Sequence, residues 1–140
     1  MFQSTKGVKT MRIRRLDHVL LAMPSGRESE ARNFYQGILG IPEATKPSDL
    51  AGRGGCWFED GELKVHLGVE KNFVPAKKAH PAFIVDDLAG LTSALTAAGF
   101  PISHDAPLEG YDRIFVHDPF GNRIELIEIK ASATPVPSAP

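Results

Sequence analysis

The chain has 140 residues, of which 42% are hydrophobic and 24% are charged. This length and composition predict one soluble globular domain and exclude two full-sized ones. The 16 lysines and arginines nearly balance the 17 aspartates and glutamates, so neither nucleic acid nor a membrane surface is an expected partner, and small molecules are favoured.

Cysteine usage and the N-terminal apolar run bear on the compartment. The sequence contains one cysteine, Cys56, so it cannot form an internal disulfide, which is typical of a reducing compartment. The apolar run near the N-terminus is interrupted by Asp17 and His18 and ends by Met23. It is too short for a membrane span and a poor signal-peptide core. We therefore expect a cytoplasmic protein.

Both ends of the chain differ in composition from the middle. Residues 1–11 show no apolar periodicity and predict a flexible N-terminal extension. Residues 130–140 are rich in alanine, serine and proline, cannot bury an apolar face, and predict a disordered tail. The folded domain is therefore expected to span residues 12–129.

The first half of this domain predicts a strand, a helix, a short strand and two longer strands. Residues 16–23 form an apolar run of strand length. A helix follows, where Ser25 and Glu28 have the spacing of a capping box and Gly40 supplies the C-terminal stop. The two longer strands are predicted at residues 56–59 and 63–69.

The second half repeats this order. Residues 82–85 predict a strand, and Asp86 or Asp87 can cap a helix that ends at Gly99. Two more strands are predicted at residues 113–117 and 122–129, separated by a tight turn.

Each half is thus a βαβββ unit of roughly 55–60 residues, which is too small to bury a stable core alone. Pairing the two modules, about residues 12–70 and 79–129, solves this problem. The prediction is an α+β fold in which paired βαβββ modules form a curved mixed sheet. The helices cover the convex face, and the concave face remains an open cleft.

Strand alternation indicates which side chains face the cleft. In residues 63–69 the apolar side chains take the helix-covered face, so His66 takes the opposite one. Glu125 lies between two aliphatic residues in the last strand and faces the cleft as well. His18 and His80 stand near the starts of the strands that lead into the two helices. The two modules therefore place ionisable side chains at equivalent points.

These four side chains predict a metal site. A carboxylate in an apolar cleft needs compensation for its lost hydration, and a divalent cation supplies it. Three imidazoles and one carboxylate suit iron, zinc, nickel, cobalt or manganese better than calcium or magnesium. The pattern therefore predicts one divalent metal ion, and a structural hydrogen-bond network is the alternative.

Five short stretches share a pattern with one protein family. They are LDHV at 16–19, NFY at 33–35, VHL at 65–67, HPAFIVD at 80–86 and DPFGNRIE at 118–125. Together they resemble the vicinal oxygen chelate superfamily of glyoxalases, bleomycin-resistance proteins and extradiol dioxygenases. The last stretch is the most specific, and the resemblance covers nearly all of the folded domain.

The resemblance implies metal ligands at His18, His66, His80 and Glu125. Glyoxalase I-like members have a glutamate where this chain has His66, so the chain departs from the glyoxalase I pattern there. The other three residues match the two-histidine, one-carboxylate set of fosfomycin-resistance-like and extradiol-like members. His66 is then a fourth ligand or an acid/base group, and we expect Glu125 and His66 to be catalytic.

The resemblance also implies an enzyme of lyase, isomerase or dioxygenase type. In it, a small substrate chelates the metal through two vicinal oxygens. Arg113 and Arg123 flank the cleft strands and are candidates to bind an anionic group of that substrate.

The alternative function is a metal-free binding protein of the bleomycin-resistance type. Against it, the chain keeps all four candidate ligands and is nearly neutral, whereas proteins that bind cationic drugs tend to be acidic. Superfamily members of this length commonly pair, so we expect a homodimer. The sequence leaves open whether the modules pair within one chain or across two.

Overall fold

Two four-stranded mixed sheets form the body of the protein in the computed structural model, which describes residues 9–130. The first sheet has the order β1-β4-β3-β2 and contains β1 (Val19–Met23), β2 (Glu43–Ala44), β3 (Cys56–Asp60) and β4 (Leu63–Val69). The second has the order β5-β8-β7-β6 and contains β5 (Ala82–Ile84), β6 (Ile102–Ser103), β7 (Tyr111–His117) and β8 (Arg123–Ile129).

The two sheets share one topology, which confirms the predicted α+β fold of paired βαβββ modules. β1 runs parallel to β4 and β5 runs parallel to β8, while the other pairs are antiparallel. The predicted N-terminal extension and tail lie largely outside the described residues. The helical segments are α1 (Glu28–Ala31), which continues as a π-helix (Arg32–Ile38), a 3-10 turn (Ala51–Arg53) and α2 (Leu88–Ala97).

Strand register confirms that the candidate residues occupy equivalent positions. His66 pairs with Leu20, which lies two residues after His18. Glu125 pairs with Ala82, which lies two residues after His80. Each module therefore repeats the same offset between its two candidate side chains.

The predicted face alternation is also confirmed. The aliphatic neighbours of His66 and Glu125 are fully buried in the hydrophobic core. Because successive strand residues point to opposite faces, His66 and Glu125 take the cleft face. The core residues that flank them are Val65, Leu67, Ile124 and Leu126.

The first helix begins differently from the prediction. Ser25 forms no capping box, and Arg27 stands at the N-cap position without a side-chain cap bond. The Glu28 carboxylate instead accepts a 2.9 Å hydrogen bond from the backbone N–H of Gly55, and this bond holds the pKa of Glu28 below its usual value. The Glu28 carboxylate therefore satisfies the backbone N–H of Gly55, in the segment before β3, instead of forming the predicted capping box. Gly40, with φ +76°, ends the helix as predicted.

A buried polar junction ties the two modules together. The Tyr35 hydroxyl, from the first module, donates a 2.7 Å hydrogen bond to Asp118 in the turn before β8. Burial and the Asp118 charge raise the pKa of Tyr35 well above its usual value. Asn122 donates to Asp118 and also, at 2.8 Å, to the carbonyl oxygen of Ala22 in β1. The turn of the second module therefore holds both the helix and the first strand of the first module.

We expect Tyr35→Phe to lower the free energy of unfolding by about 1.5–3 kcal/mol, because the buried Asp118 carboxylate loses a donor. Urea denaturation measures this change. Tyr111→Phe is the matched control, since the Tyr111 hydroxyl has no hydrogen-bond partner within residues 9–130, and its effect should be small. Equal losses in the two variants would show that the junction adds nothing to stability.

Candidate metal centre

The four candidate ligands lie in two pairs, one on each sheet. The rings of His18 and His66 stack with their centroids 4.6 Å apart. His80 Nε2 lies 2.9 Å from Glu125 Oε1. Within residues 9–130 no three histidine, cysteine, aspartate or glutamate side chains gather in a group that could hold a metal ion. One chain therefore presents two half-sites, and the four residues do not form a single cluster within it.

His18 and His80 share one hydrogen-bonding arrangement. His80 Nδ1 lies 2.8 Å from the backbone oxygen of Lys78, and His18 Nδ1 lies 2.9 Å from a carboxylate oxygen of Asp17. Both oxygens are acceptors, so Nδ1 donates in each case, which leaves Nε2 as the ring nitrogen that can bind a metal ion. Metal-binding histidines typically have this arrangement, in which the second nitrogen is anchored by an oxygen.

The surroundings of Glu125 fit a cation as well. Its side chain is only 8% exposed, and its Oε1 faces the Nε2 of His80. Two acceptor atoms at this distance repel each other unless a proton or a metal ion lies between them. An imidazole nitrogen beside a carboxylate oxygen is a donor set for zinc, iron, cobalt, nickel or manganese. The residues present therefore fit a divalent ion of this class.

His66 is held in a different way. Its ring is buried between the indole of Trp57, at a centroid distance of 3.9 Å and an angle of 3°, and the ring of His18. Its Nε2 lies 2.7 Å from the Glu59 carboxylate, which can only accept, so Nε2 donates. The contact to Glu59 thus occupies the Nε2 of His66.

Sequence reasoning missed Trp57 and Glu59 as partners of His66. Both lie on β3 two residues apart, and Trp57 pairs directly with His66 in the strand register. The same alternation that placed His66 in the cleft would have placed these two residues beside it. An aromatic residue and a carboxylate at that spacing were the signal.

The two candidate substrate-binding arginines have different surroundings. Arg113 donates through Nη1 to Glu125 Oε2 at 3.1 Å and through Nη2 to the Ala106 carbonyl at 2.7 Å. Its Nε is buried and has no partner within residues 9–130. Arg123 lies over the Phe115 ring, 4.1 Å from its centroid, and lines a cleft of about 440 Å³ with His80. Arg113 therefore orients Glu125, whereas Arg123 faces open space.

Comparison with known proteins identifies the family. The model of the Glyoxalase/Bleomycin resistance protein/Dioxygenase superfamily matches residues 15–126. The chain belongs to this superfamily. Lactoylglutathione lyase of Haemophilus influenzae is 32% identical over 111 residues, which cover 71% of this chain and 82% of that protein.

Solved structures of the superfamily share the fold. A glyoxalase family protein from Bacillus anthracis superposes with a TM-score of 0.81 at 45% identity, covering 87% of this chain and 100% of that one. The fosfomycin resistance protein FosX of Listeria monocytogenes, complexed with Mn(II) and 1S,2S-dihydroxypropylphosphonic acid, superposes with a TM-score of 0.70 at 18% identity. That comparison covers 86% of this chain and 95% of FosX, and at this identity it shows the fold alone.

Superfamily membership confirms the resemblance that the sequence motifs indicated. The superfamily contains enzymes, among them the lactoylglutathione lyase to which this chain is similar. Among the helices of residues 9–130, none is long and apolar enough to cross a membrane.

We expect Arg113→Met to destabilise the metal-free protein by about 3 kcal/mol, because it leaves the buried Glu125 charge without its guanidinium partner. Thermal and urea unfolding measure the change. Arg15→Met is the control, since the Arg15–Glu62 pair is exposed and such pairs contribute about 0–1 kcal/mol. A loss in Arg113→Met no greater than in the control would show that Arg113 does not stabilise Glu125.

Proposed function

We propose that this protein is a divalent-metal-dependent enzyme of the vicinal oxygen chelate type, acting as a lyase, isomerase or dioxygenase on a small substrate. The observation that carries the proposal is the shared arrangement of His18 and His80, each with Nδ1 beside an oxygen acceptor, together with the buried Glu125, whose Oε1 lies 2.9 Å from His80 Nε2. The similarity to a lactoylglutathione lyase supports an enzyme. The Mn(II) in the FosX structure supports a divalent metal.

In this proposal, His18, His80 and Glu125 hold the ion, and two copies of the chain complete the site. The half-sites lie on different sheets, and β1 and β5 are edge strands. Each edge exposes a large apolar side chain, since Leu20 is 62% and Ile84 is 63% exposed. Exposed apolar side chains on unpaired strands are typical of surfaces that another chain covers. We therefore assign His18 from one chain and His80 with Glu125 from the other to one metal ion in a homodimer.

When bound, the ion supplies Lewis acidity that polarises two vicinal substrate oxygens. In this proposal, His66 transfers a proton to or from the substrate. Glu59 accepts its Nε2–H and leaves Nδ1 as a proton acceptor, while the Trp57 ring holds the imidazole plane. Because Glu59 engages Nε2, we assign His66 to proton transfer instead of a fourth ligand position. Glu125 acts as the anionic ligand, and Arg113 fixes its second oxygen.

Arg123 keeps the substrate-binding role that the sequence predicts. Its guanidinium rests on the Phe115 ring beside His80, and within residues 9–130 it forms no salt bridge. A guanidinium that lies on an aromatic ring at the rim of a cleft can bind an anionic or oxygen-rich substrate.

Metal analysis of protein purified without chelator or affinity metal tests this function. We expect a content near one ion per chain of iron, zinc, nickel, cobalt or manganese. Glu125→Gln should lower metal affinity by at least about 100-fold, since even partners outside the ligand set contribute about 10–100-fold. His66→Gln is the contrast and should keep its metal. A Glu125→Gln variant with full metal content would remove Glu125 from the site, and a metal-free protein that stays empty after reconstitution would favour the binding-protein alternative.

A charge at the proposed interface tests the shared site. We expect Leu20→Glu and Ile84→Glu to sediment as monomers and to lose the metal together, because a separated chain holds His18 apart from His80 and Glu125. Leu108→Glu is the control, since Leu108 is partly exposed but lies outside β1 and β5. Sedimentation velocity with metal analysis of each fraction measures both properties. Monomers that retain tightly bound metal would show that one chain is sufficient.

A further inference from the structure

The cleft on the first sheet carries three cationic side chains, and of these only Lys64 lies within ion-pair distance of a carboxylate among the described residues. This cleft, of about 440 Å³, is lined by three cationic side chains and two carboxylates besides His18 and His66. The carboxylates are already engaged, because Asp17 contacts His18 at 2.9 Å and Lys64 at 3.7 Å, and Glu59 contacts His66. With neutral histidines, the side chains that line this cleft therefore sum to a net charge of +1.

Lys46 and Arg53 form no ion pair among residues 9–130. The pKa of the nearby Glu28 carboxylate is lowered by its hydrogen bond from Gly55 and, in part, by the charge of Lys46. Lys46 donates a hydrogen bond to the carbonyl oxygen of Gly54, which is neutral. The guanidinium of Arg53 has no hydrogen-bond or ion-pair partner among residues 9–130. Lys46 thus contacts the residue that follows Arg53 in the chain, and both side chains line the cleft.

The backbone around Arg53 is well anchored. The N–H of Leu50 donates to Pro47 at 2.9 Å, and the N–H of Arg53 donates to Leu50 at 3.1 Å. Gly55 follows with φ +83°, so close to β4 that a Cβ there would lie 2.1 Å from the carbonyl oxygen of Leu67. The arginine therefore extends from a segment that internal hydrogen bonds and a close backbone approach hold in place.

We propose that this cleft binds substrates that carry a carboxylate at the end remote from the chelating oxygens, and that Arg53, assisted by Lys46, binds this carboxylate. The proposal rests on the proposed function for the chelating end of the substrate. The guanidinium matches a carboxylate through two parallel hydrogen bonds. Leu50 and Trp57 line the same cleft and suit an apolar or aromatic body between the two ends.

Two probes of nearly equal shape, one anionic and one neutral, test the proposal. They are 3,4-dihydroxybenzoate and 3,4-dihydroxybenzamide, which share an aromatic ring and two vicinal oxygens. Calorimetric titration into the full chain, with and without bound Zn²⁺, gives Kd for each; zinc is chosen because it does not oxidise catechols. We expect the benzoate to bind about tenfold more tightly than the benzamide, the lower end of the range for charge-assisted hydrogen bonds because Arg53 is exposed.

Arg53→Gln should abolish this preference by weakening the benzoate about tenfold while changing the benzamide less than about twofold. Arg14→Gln is the control for long-range charge, since Arg14 is exposed and does not line the cleft. The preference should also fall as salt is raised, because screening weakens an exposed charge pair.

The carboxylate preference and the effect of zinc are read separately. A preference that disappears in Arg53→Gln supports the carboxylate site whether or not Zn²⁺ adds affinity. Equal binding of the two probes, no binding of the benzoate, or an unchanged preference in Arg53→Gln overturns it. Failure of Zn²⁺ to raise the affinity for either probe counts against the proposed metal-dependent function alone.

Discussion

Asp118 is a buried carboxylate whose two oxygens accept four hydrogen bonds, from the Tyr35 hydroxyl, the backbone N–H groups of Phe120 and Asn122, and the Asn122 side chain. A charge removed from water this completely is tolerated only when its acceptor sites are filled. The donors come from both modules, and Asn122 extends the network to the carbonyl of Ala22. The position of one module relative to the other therefore depends on this carboxylate.

The two modules have the same strand arrangement but different ionisable groups at the central cleft residue. In each, an aromatic residue on the neighbouring strand stands beside the central cleft residue, Trp57 beside His66 and Phe115 beside Glu125. In the first module the imidazole of His66 contacts the Glu59 carboxylate. In the second module the Glu125 carboxylate accepts a hydrogen bond from the Arg113 guanidinium. The two modules therefore share backbone positions but differ in charge at the central cleft residue. One half-site contains two imidazoles, and the other contains an imidazole and a carboxylate.

Most of the fold was accessible from local patterns. The predicted strand at residues 63–69 coincides with β4, and the alternation of aliphatic residues in β4 and β8 assigned the buried faces. Gly40 and Asp87 ended and capped helices as their residue types indicate. The predicted capping box at Ser25 does not form, because the Glu28 carboxylate accepts the backbone N–H of Gly55, a residue distant in sequence. Local spacing cannot reveal such competition.

By itself, the sequence determined the family, the duplicated architecture and the core faces of β4 and β8 opposite His66 and Glu125, because strand alternation and module repetition are local or periodic properties. The tertiary structure decided how the four candidate ligands are used. It showed that His18 and His80 each place Nδ1 beside an oxygen acceptor, that Glu59 engages His66 and that Arg113 engages Glu125. It also separated the four into two half-sites on different sheets. These contacts join residues on different strands and segments, and their geometry depends on register and on the junction at Asp118, which no single stretch of sequence specifies.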